Sequence, residues 1–259
     1  MRAAAVFLAL LCGLPGWAHA EPATPPGKPA YLSLIIDDLG QNLPRDRRVL
    51  ALPGPVTVAV MPDTPHAAQF AREAHKAGKT VMVHMPMDPA GGPFAWKPDL
   101  PEPVLLERLN AAFAAVPYAA GLNNHEGSRM TSQPAAMAML MGELQKRRLF
   151  FVDSRTSAAT VAAAKAQDIG LASVSRDVFL DDTRTVEAIS GQLHSAIRLA
   201  RKEGSAVLIG HPYPQTLEVL ERELPTLKAQ GIEWISIRQM IGERGNEAMK
   251  AHGAHGKYR

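Results

Sequence analysis

Short apolar runs alternate with helical stretches along this chain, and the alternation constrains the fold more than any other feature. Each run is bounded by turn residues or by a change to polar residues, as β-strands are. The strand candidates are Tyr31–Ile36, Val56–Val60, Thr80–Val83, Ala120–Leu122, Leu149–Val152, Leu171–Val174, Ala206–Ile209 and Trp234–Ile237. Strands separated by helices pair in parallel through crossover connections. The sequence therefore predicts an α/β fold with a parallel sheet, either closed into a barrel or open and doubly wound.

The helices between these strands carry start and stop signals of their own. Capping residues and first-turn prolines mark helix starts, and glycines mark helix ends. These signals predict helices from Thr64 to just before Gly78, from Ser132 onward, from Asp182 to Gly204, and from about Gln215 to Gln230. No G-x-G-x-x-G sequence follows the first strand, so the main signature of a dinucleotide-binding sheet is missing.

Composition and charge exclude several classes of protein. Hydrophobic residues make up 46% of the 259 residues and charged residues 20%, a globular rather than a disordered balance. The net charge of +3 comes mostly from scattered basic residues, whereas nucleic-acid binding proteins cluster theirs, so we expect no nucleic-acid partner. Cys12 is the only cysteine, and it lies in the first 20 residues, which we expect to be cleaved off as a signal peptide. Metal ligands, if present, would then be histidines and carboxylates.

The first 20 residues have the pattern of a signal peptide. Ala3–Leu11 is apolar but too short to span a bilayer, and Ala18-His19-Ala20 is a small-x-small cleavage site. We expect cleavage after Ala20, export to the periplasm and no stable membrane span. Residues 21–30 are predicted to be a proline-rich linker, residues 31–244 the α/β domain, and residues 245–259 a flexible basic tail.

Polar residues follow most of the predicted strands at the point where each strand ends. They are Asp37 and Asp38, His84, the run Asn123, Asn124 and His125, then Asp153, Arg176 and Asp177, and finally His211. The carboxyl ends of parallel strands point to one face, where the active sites of barrels and open sheets lie. We therefore expect these residues to converge on one cleft.

Two carboxylates and three histidines in one cleft suit metal-dependent hydrolysis. Adjacent residues at a strand end are expected to diverge, so that one of Asp37 and Asp38 can ligate a metal while the other accepts a proton. His84 and His125 could complete a His/His/Asp site, a ligand set suited to zinc or another divalent first-row ion. Such an ion polarises a carbonyl group and lowers the pKa of water. His211 could then act as general acid.

Six sequence strings together resemble the motifs of the divergent polysaccharide deacetylases, which are related to the NodB-like carbohydrate esterases. They are Ile35-Ile36-Asp37-Asp38-Leu39-Gly40, His84-Met85-Pro86-Met87-Asp88-Pro89, Asn123-Asn124-His125-Glu126-Gly127-Ser128, Phe151-Val152-Asp153-Ser154-Arg155-Thr156-Ser157, Arg176-Asp177-Val178-Phe179-Leu180-Asp181 and Ile209-Gly210-His211-Pro212. The resemblance covers roughly Tyr31 to Ile241. It implies a single-domain, distorted parallel (β/α) barrel.

The resemblance also implies roles for individual residues. The first carboxylate of the pair, Asp37, would be the catalytic base, and Asp38 a metal ligand. His84 matches the first histidine of the family's His-x-x-x-His pair, but Asp88 occupies the second position. Either Asp88 ligates in its place or His125 does. We favour His125, because prolines on either side make Asp88 a plausible turn residue.

The remaining motif residues are assigned by the same resemblance. His211 matches the late-motif histidine, the proposed acid. Asp153, Arg176 and Asp177 look like groups that position the substrate or the ligands. Asn124 and Ser128 lie where the relatives have an Arg-Pro motif, and Ser128 lacks the G-x-S-x-G setting of a nucleophile.

These features predict a secreted, zinc-dependent deacetylase that hydrolyses N-acetyl or O-acetyl groups of an envelope polysaccharide or peptidoglycan fragment. One alternative is a non-catalytic module that binds a carbohydrate or an envelope protein. A second is a metal-free glycosidase with Asp37 and Asp153 as its carboxylate pair. Phe94 and Trp96, in the loop after His84, could form a sugar-stacking platform or simply pin the loop.

Overall fold

The computed structural model of the chain describes residues 30–252, with side chains for residues 30–250. The predicted signal peptide, nearly all of the predicted linker and residues 253–259 of the predicted tail lie outside the described residues. Among the described helices, none is both long enough and apolar enough to cross a membrane.

Within residues 30–252, nine parallel strands form one curled sheet. They are β1 (Ala30–Leu39), β2 (Thr57–Val60), β3 (Thr80–Met87), β4 (Gly121–Glu126), β5 (Phe150–Asp153), β6 (Ser173–Ser175), β7 (Val178–Phe179), β8 (Ser205–Gly210) and β9 (Ile232–Trp234). Their order is β6-β5-β4-β3-β2-β1-β8-β7, and β9 pairs with the start of β1. Each predicted strand overlaps an observed one, but the last lies earlier than predicted, because Ile237 begins a helix.

The chain itself closes the sheet into a distorted barrel. The strands at the two edges of the sheet, β6 and β7, are consecutive in sequence and separated only by Arg176 and Asp177. The amide of Arg176 donates to Asp153 of β5 (3.0 Å), and that of Asp177 donates to Val207 of β8 (2.9 Å). The two residues thus cross the seam between the edges. The predicted distorted parallel (β/α) barrel is confirmed.

In the part of the chain that the structure describes, eight α-helices connect and cover the strands. They are α1 (Leu43–Ala51), α2 (Ala67–Lys76), α3 (Glu102–Ala115), α4 (Pro134–Lys146), α5 (Ala162–Asp168), α6 (Val186–Glu203), α7 (Pro214–Glu223) and α8 (Ile237–His252). As predicted, Gly204 ends α6 in the left-handed conformation (φ 90). The helix predicted to reach Gln230 ends as α7 at Glu223, and two short 3₁₀ turns follow. Pro225 explains the break, since a proline there has no amide to continue the helix.

Two apolar cores lie on the two faces of the sheet. Alternate residues of a strand face opposite sides, so Leu34 and Ile36 of β1 pack outward against the helices, whereas Ile35 packs inside the barrel. Helix α8 closes the N-terminal end of the barrel with Ile237 and Met240. The open mouth is therefore at the C-terminal ends of the strands, where the predicted polar residues lie.

Helix α8 changes the predicted end of the domain. The tail was expected to begin at Gly245, but the helix continues to His252, and Ala248 is buried. Just before this point, the buried Arg244 donates to Ser205 Oγ (3.0 Å) and forms an ion pair with Asp177. The helix continues because these contacts hold it against the seam of the barrel.

Candidate metal centre and active site

The carboxylates of Asp37 and Asp38 reach the same point of the cleft, although adjacent residues of a regular strand face opposite sides. The pairing of β1 with β2 shifts register between Ile36 and Leu39, and Asp38 has a left-handed backbone (φ 57). This bulge re-aims the Asp38 side chain. As a result Asp37 Oδ2 and Asp38 Oδ1 lie 3.5 and 3.4 Å from the same nitrogen, His84 Nε2. The expectation that the two carboxylates diverge was wrong.

Strands β3 and β4 bring two histidines to these carboxylates. His84 pairs with Asn123 and Pro86 pairs with His125 in the parallel register. His125 Nδ1 lies 3.1 Å from His84 Nε2 and 3.2 Å from Asp38 Oδ1. One ligand atom each from Asp38, His84 and His125 lies within 4.8 Å of the others.

Asp88, the alternative third ligand, is not part of this group. Its Oδ2 lies 3.1 Å from Nε of Arg129, and its backbone carbonyl accepts hydrogen bonds from the amides of Arg129 and Met130. Asp88 therefore organises the loop that follows β4. Of the two alternatives, the structure places His125 beside Asp38 and His84.

A hydrogen bond from the opposite side fixes the tautomer of His84. Asn123 directs its amide nitrogen at both oxygens of Asp37 (2.9 and 3.1 Å), so its carbonyl oxygen faces His84 Nδ1 at 2.8 Å. Since that oxygen can only accept, Nδ1 carries the proton. In the neutral imidazole, Nε2 then presents its lone pair to Asp38 and His125, as a metal-ligating nitrogen does.

The donor set fits a divalent first-row ion. Asp38 Oδ1 is buried and has no hydrogen-bond donor in good geometry among the described residues. Two imidazole nitrogens and this carboxylate oxygen converge, a combination typical of zinc and its neighbours in the first row. Asp38, His84 and His125 could therefore hold such an ion.

Without a bound metal ion, the imidazole of His84 is protonated near neutral pH. Burial opposes the charged form of His84, but the charges of Asp37 and Asp38 outweigh burial and raise the pKa of His84 to about 9. Burial likewise opposes ionisation of Asp38, but the neighbouring histidines hold the pKa of its carboxyl below the usual range. Burial raises the pKa of Asp37, which makes it a better base than an exposed carboxylate.

His211 faces the group from the other side of the cleft. Its Nδ1 lies 2.9 Å from Oδ1 of the buried Asp181, which fixes the proton on that nitrogen, and its Nε2 lies 3.8 Å from Asp38 Oδ2. The other oxygen of Asp181 accepts bonds from the His211 amide (2.6 Å) and from Thr216 Oγ1 (2.7 Å). Burial opposes protonation of His211, but Asp181 and Asp37 raise its pKa above the usual value. Such a group suits proton donation near neutral pH.

Of the two roles predicted for Trp96, pinning the loop is the one that the structure supports. Trp96 is completely buried and its backbone bonds to Pro86 and Asp88, so it pins the loop and offers no exposed platform. The aromatic residues that contact His211 beside the cleft are Phe179 and Tyr213, with ring centroids 5.3 and 5.4 Å from the imidazole.

Asp153 and Asp177, both predicted to position the substrate or the metal ligands, direct their carboxylates away from the cluster. Asp153 follows Val152, which faces the barrel interior, so Asp153 itself faces outward. Its oxygens accept bonds from the Arg155 amide (2.8 Å) and Thr160 Oγ1 (3.0 Å). Asp177 is bound by Arg244 and the Val207 amide. A glycosidase pair of Asp37 and Asp153 is therefore not assembled.

The other predicted residues shape the surroundings of the cleft. Asn124 is buried and joins β4 to the loop after β5, by accepting from the Ser154 amide (2.9 Å) and donating to the Glu126 carbonyl (2.7 Å). Ser128 is exposed on the loop after β4. Arg176 donates to the carbonyl of Ser154 (2.7 Å), next to the cluster.

Sequence reasoning assigned no role to Asn123 or Asp181. Asn123 was noted only as one of three polar residues at a strand end. Asp181 follows β7, a strand too short to be recognised from its apolar pattern. The available signal was a polar residue directly after an apolar run, since Asn123 follows Leu122 and Asp181 follows Val178-Phe179-Leu180.

A distorted (β/α) barrel with an Asp/His/His group at its mouth is the architecture of metal-dependent carbohydrate deacetylases. Residues 34–241 match the divergent polysaccharide deacetylase family, and the chain belongs to that family. The resemblance read from the sequence motifs is confirmed.

Two similar sequences come from bacteria. The chain is 40% identical over 195 residues to the uncharacterized protein YibQ of Escherichia coli (strain K12), which covers 74% of this chain and 61% of that protein. It is 38% identical over 203 residues to an uncharacterized protein of Haemophilus influenzae, covering 76% and 71% of the two chains. The chain thus spans less than two thirds of the length of its Escherichia coli relative.

Solved structures share the fold at low sequence identity. An uncharacterized protein from Agrobacterium tumefaciens C58 superimposes with a TM-score of 0.79 at 22% identity, over 87% of this chain and 92% of that one. The catalytic domain of a peptidoglycan N-acetylglucosamine deacetylase from Eubacterium rectale gives 0.51 at 15% identity, over 85% and 92%. A CE4 family pseudoenzyme from Bacillus anthracis gives 0.52 at 14% identity, over 82% and 66%. These similarities establish the fold.

Proposed function

We propose that this protein is a metal-dependent deacetylase that removes N-acetyl or O-acetyl groups from a glycan of the cell envelope. One observation carries the proposal. The group Asp38, His84 and His125 lies between two other side chains. One is Asp37, a buried carboxylate, and the other is His211, a histidine that a buried carboxylate holds in place. A ligand group with a base on one side and an acid on the other is the arrangement that amide or ester hydrolysis requires.

Each side chain has a task that follows from its surroundings. When bound, a divalent ion, for which zinc is our proposal, would supply a Lewis acid that polarises the acetyl carbonyl and lowers the pKa of the attacking water. Asp37 takes a proton from that water, and Asn123 keeps the Asp37 carboxylate in place. His211 carries its proton on Nε2 towards the cleft and gives it to the leaving nitrogen or oxygen, and Asp181 stabilises the charged imidazole.

The substrate and the compartment are part of the proposal. A structural neighbour is a peptidoglycan N-acetylglucosamine deacetylase, which supports an N-acetylated envelope glycan as the substrate class. The leader-like residues 1–20 support export to the periplasm. Mass spectrometry of the protein from a periplasmic extract should find Glu21 at its N-terminus, and a full-length or Cys12-lipidated chain in the membrane fraction would contradict export.

A second candidate is a binding module that has lost catalysis. This candidate is based on Asp88, which occupies the position where the related deacetylases have a second histidine. Asp88 forms an ion pair with Arg129. A fold neighbour of this chain is itself a pseudoenzyme. In this reading the cleft recognises a glycan or an envelope protein without hydrolysing it.

Acetate release distinguishes the two candidates. Zinc-loaded protein is incubated with N-acetylglucosamine oligomers, peptidoglycan fragments and O-acetylated glycans, with chelator-treated protein in parallel. We expect acetate from at least one class, and about a 10²–10⁴-fold loss of rate in Asp37→Asn. His194→Ala, an exposed histidine on α6, is the matched control for a His211→Ala variant. A wild-type rate equal to that of Asp37→Asn on every class would refute deacetylation, and glycan binding without acetate would favour the module.

A further inference from the structure

A pocket of about 480 Å³ lies beside the cleft, at the seam between β6 and β7, and the proposed chemistry makes no use of it. Its lining includes Arg155, Arg176 and Phe179. Phe179 joins it to the cleft, because the centroid of its ring lies 5.3 Å from that of the His211 imidazole and 5.0 Å from the guanidinium carbon of Arg176.

The backbone of Arg155 is held in an unusual conformation from both sides. Its φ of 49 lies in the left-handed region, which residues with a side chain rarely adopt. The Arg155 amide donates to the buried Asp153 carboxylate (2.8 Å), and its carbonyl accepts from Arg176 Nη2 (2.9 Å). Backbone strain of this kind is maintained only where the surroundings enforce it, and it clusters at ligand sites. Here it presents the exposed Arg155 side chain to the pocket.

The two guanidinium groups face the pocket without a carboxylate partner. In residues 30–252, Arg155 and Arg176 form no ion pair, and the Arg155 side chain forms no hydrogen bond. Asp177 also lines the pocket, but its carboxylate is bound by Arg244. Asp182 is the other acidic residue of the lining and is exposed at the rim. Burial lowers the pKa of Arg176, and the positive charge of Arg155 lowers it further, so an anion between the two would be favourable.

We propose that this Arg155/Arg176 pocket binds a carboxylate or phosphate group of the glycan, so that the substrate is an acidic rather than a neutral polysaccharide. This inference rests on the proposed function, since it names the substrate class of the same cleft. Guanidinium groups bind both oxyanions through paired hydrogen bonds. Phe179 is partly exposed and contacts both His211 and Arg176, so a sugar held against its exposed part would place an anionic group at the pocket.

Binding measurements test the inference independently of catalysis. Dissociation constants for zinc-loaded protein are measured by calorimetry with N,N′-diacetylchitobiose, with the N-acetylglucosaminyl-N-acetylmuramic acid disaccharide, and with a phosphorylated diacetylchitobiose. Hydrogen bonds to charged groups predict that at least one anionic disaccharide binds about tenfold more tightly than the neutral one. The two anionic probes distinguish carboxylate from phosphate. The preference should weaken at high salt, because the Arg155 side chain is exposed.

Two variants test whether the pocket causes the preference for anionic disaccharides. Arg155→Gln removes a side chain without structural contacts, and it should reduce the preference to about twofold or less, with an unchanged Tm. Arg176→Lys keeps the charge but loses the planar fork, and it should also weaken the preference. Arg198→Gln, which removes the same charge from the exposed face of α6, should keep it.

The outcomes separate the inference from the proposed function. An acidic preference that Arg155→Gln abolishes supports the inference even if no acetate is released. Equal affinity for neutral and anionic disaccharides overturns it even if the protein deacetylates both, as does a preference that survives both variants undiminished. No binding of any disaccharide overturns the inference together with the glycan-directed function.

Discussion

The amide nitrogen of Asn123 donates to both carboxylate oxygens of Asp37, at 2.9 and 3.1 Å. Both side chains are buried. The same asparagine accepts from the imidazole of His84, so one residue orients both the proposed base and a proposed ligand. Because an amide is neutral, Asn123 does this without adding a charge that would change the basicity of Asp37.

Replacing Asn123 should therefore impair turnover more than substrate binding. Asn123→Ala leaves Asp37 without its donor, and loss of such an orienting group typically costs about 10–100-fold in activity or metal affinity. We expect a lower kcat with little change in KM, measured by acetate release at saturating zinc. Asn110→Ala on the exposed surface of α3 is the control. An Asn123→Ala enzyme with wild-type kcat would show that Asp37 needs no such support.

Metal binding should depend on His125 and not on Asp88. His84→Ala and His125→Ala each remove a nitrogen from the group formed with Asp38, so we expect both to lose stoichiometric zinc in elemental analysis after gel filtration. Asp88→Ala should keep it, because its carboxylate is paired with Arg129. If His125→Ala retained zinc and Asp88→Ala lost it, the third metal ligand would be Asp88 and not His125.

Zinc affinity should rise with pH up to about 9. The pKa of His84 is raised to about 9 in the metal-free protein, so below this pH a proton occupies Nε2 and a metal ion must displace it. Competition with one proton predicts about a tenfold gain in affinity per pH unit, levelling off above the pKa. Calorimetry in buffers of different ionisation enthalpy would count the protons released. A zinc affinity that is constant from pH 6 to pH 9 would contradict a proton-occupied site.

The Asp181–His211 pair should set the alkaline limit of activity. His211 must be protonated to act as an acid, and Asp181 raises its pKa, so activity should persist to a higher pH than the ordinary histidine value allows. Asp181→Asn lowers that pKa and should move the alkaline limb of the pH–rate profile to lower pH.

Asp181 is buried, so a milder variant guards against a folding defect. Thr216→Val removes a single hydrogen-bond donor from Asp181, which leaves its carboxylate more basic, and should shift the limb to higher pH by a smaller amount. Unchanged alkaline limbs in both variants, with melting temperatures close to wild type, would exclude His211 as the acid.

The seam of the barrel should depend on α8. Arg244→Met leaves the Asp177 carboxylate, whose side chain is only 7% exposed, without its cation, and breaking a buried ion pair by removing one partner costs about 3–5 kcal/mol. Urea unfolding should show that loss, whereas Arg222→Met, which removes an exposed arginine of α7, should change the free energy of unfolding by about 1 kcal/mol or less. A destabilisation as small as that of Arg222→Met would mean that the seam is held by other contacts.

The alternation of apolar runs and helix signals determined the fold class, because strand and helix periods are local properties of the sequence. The same pattern placed Asp37, His84, Asn123, His125 and His211 at strand ends, and parallel pairing brings such ends together whatever the details of packing. Strand β7 was missed, since a strand of two residues is too short to show a periodic pattern of apolar residues. The continuation of α8 was missed because it depends on Arg244 reaching a seam that does not exist in the linear chain.

The direction of each side chain at the mouth was decided by tertiary structure. A strand has two faces, and which one faces the cleft depends on register and bulges set by neighbouring strands. Asp38 enters the cleft only because β1 bulges against β2, whereas Asp153, at the end of an unbulged strand, faces the helices. The sequence thus determined which residues arrive at the mouth. Long-range pairing decided which of them meet, because no local pattern records the register between strands that are distant in the chain.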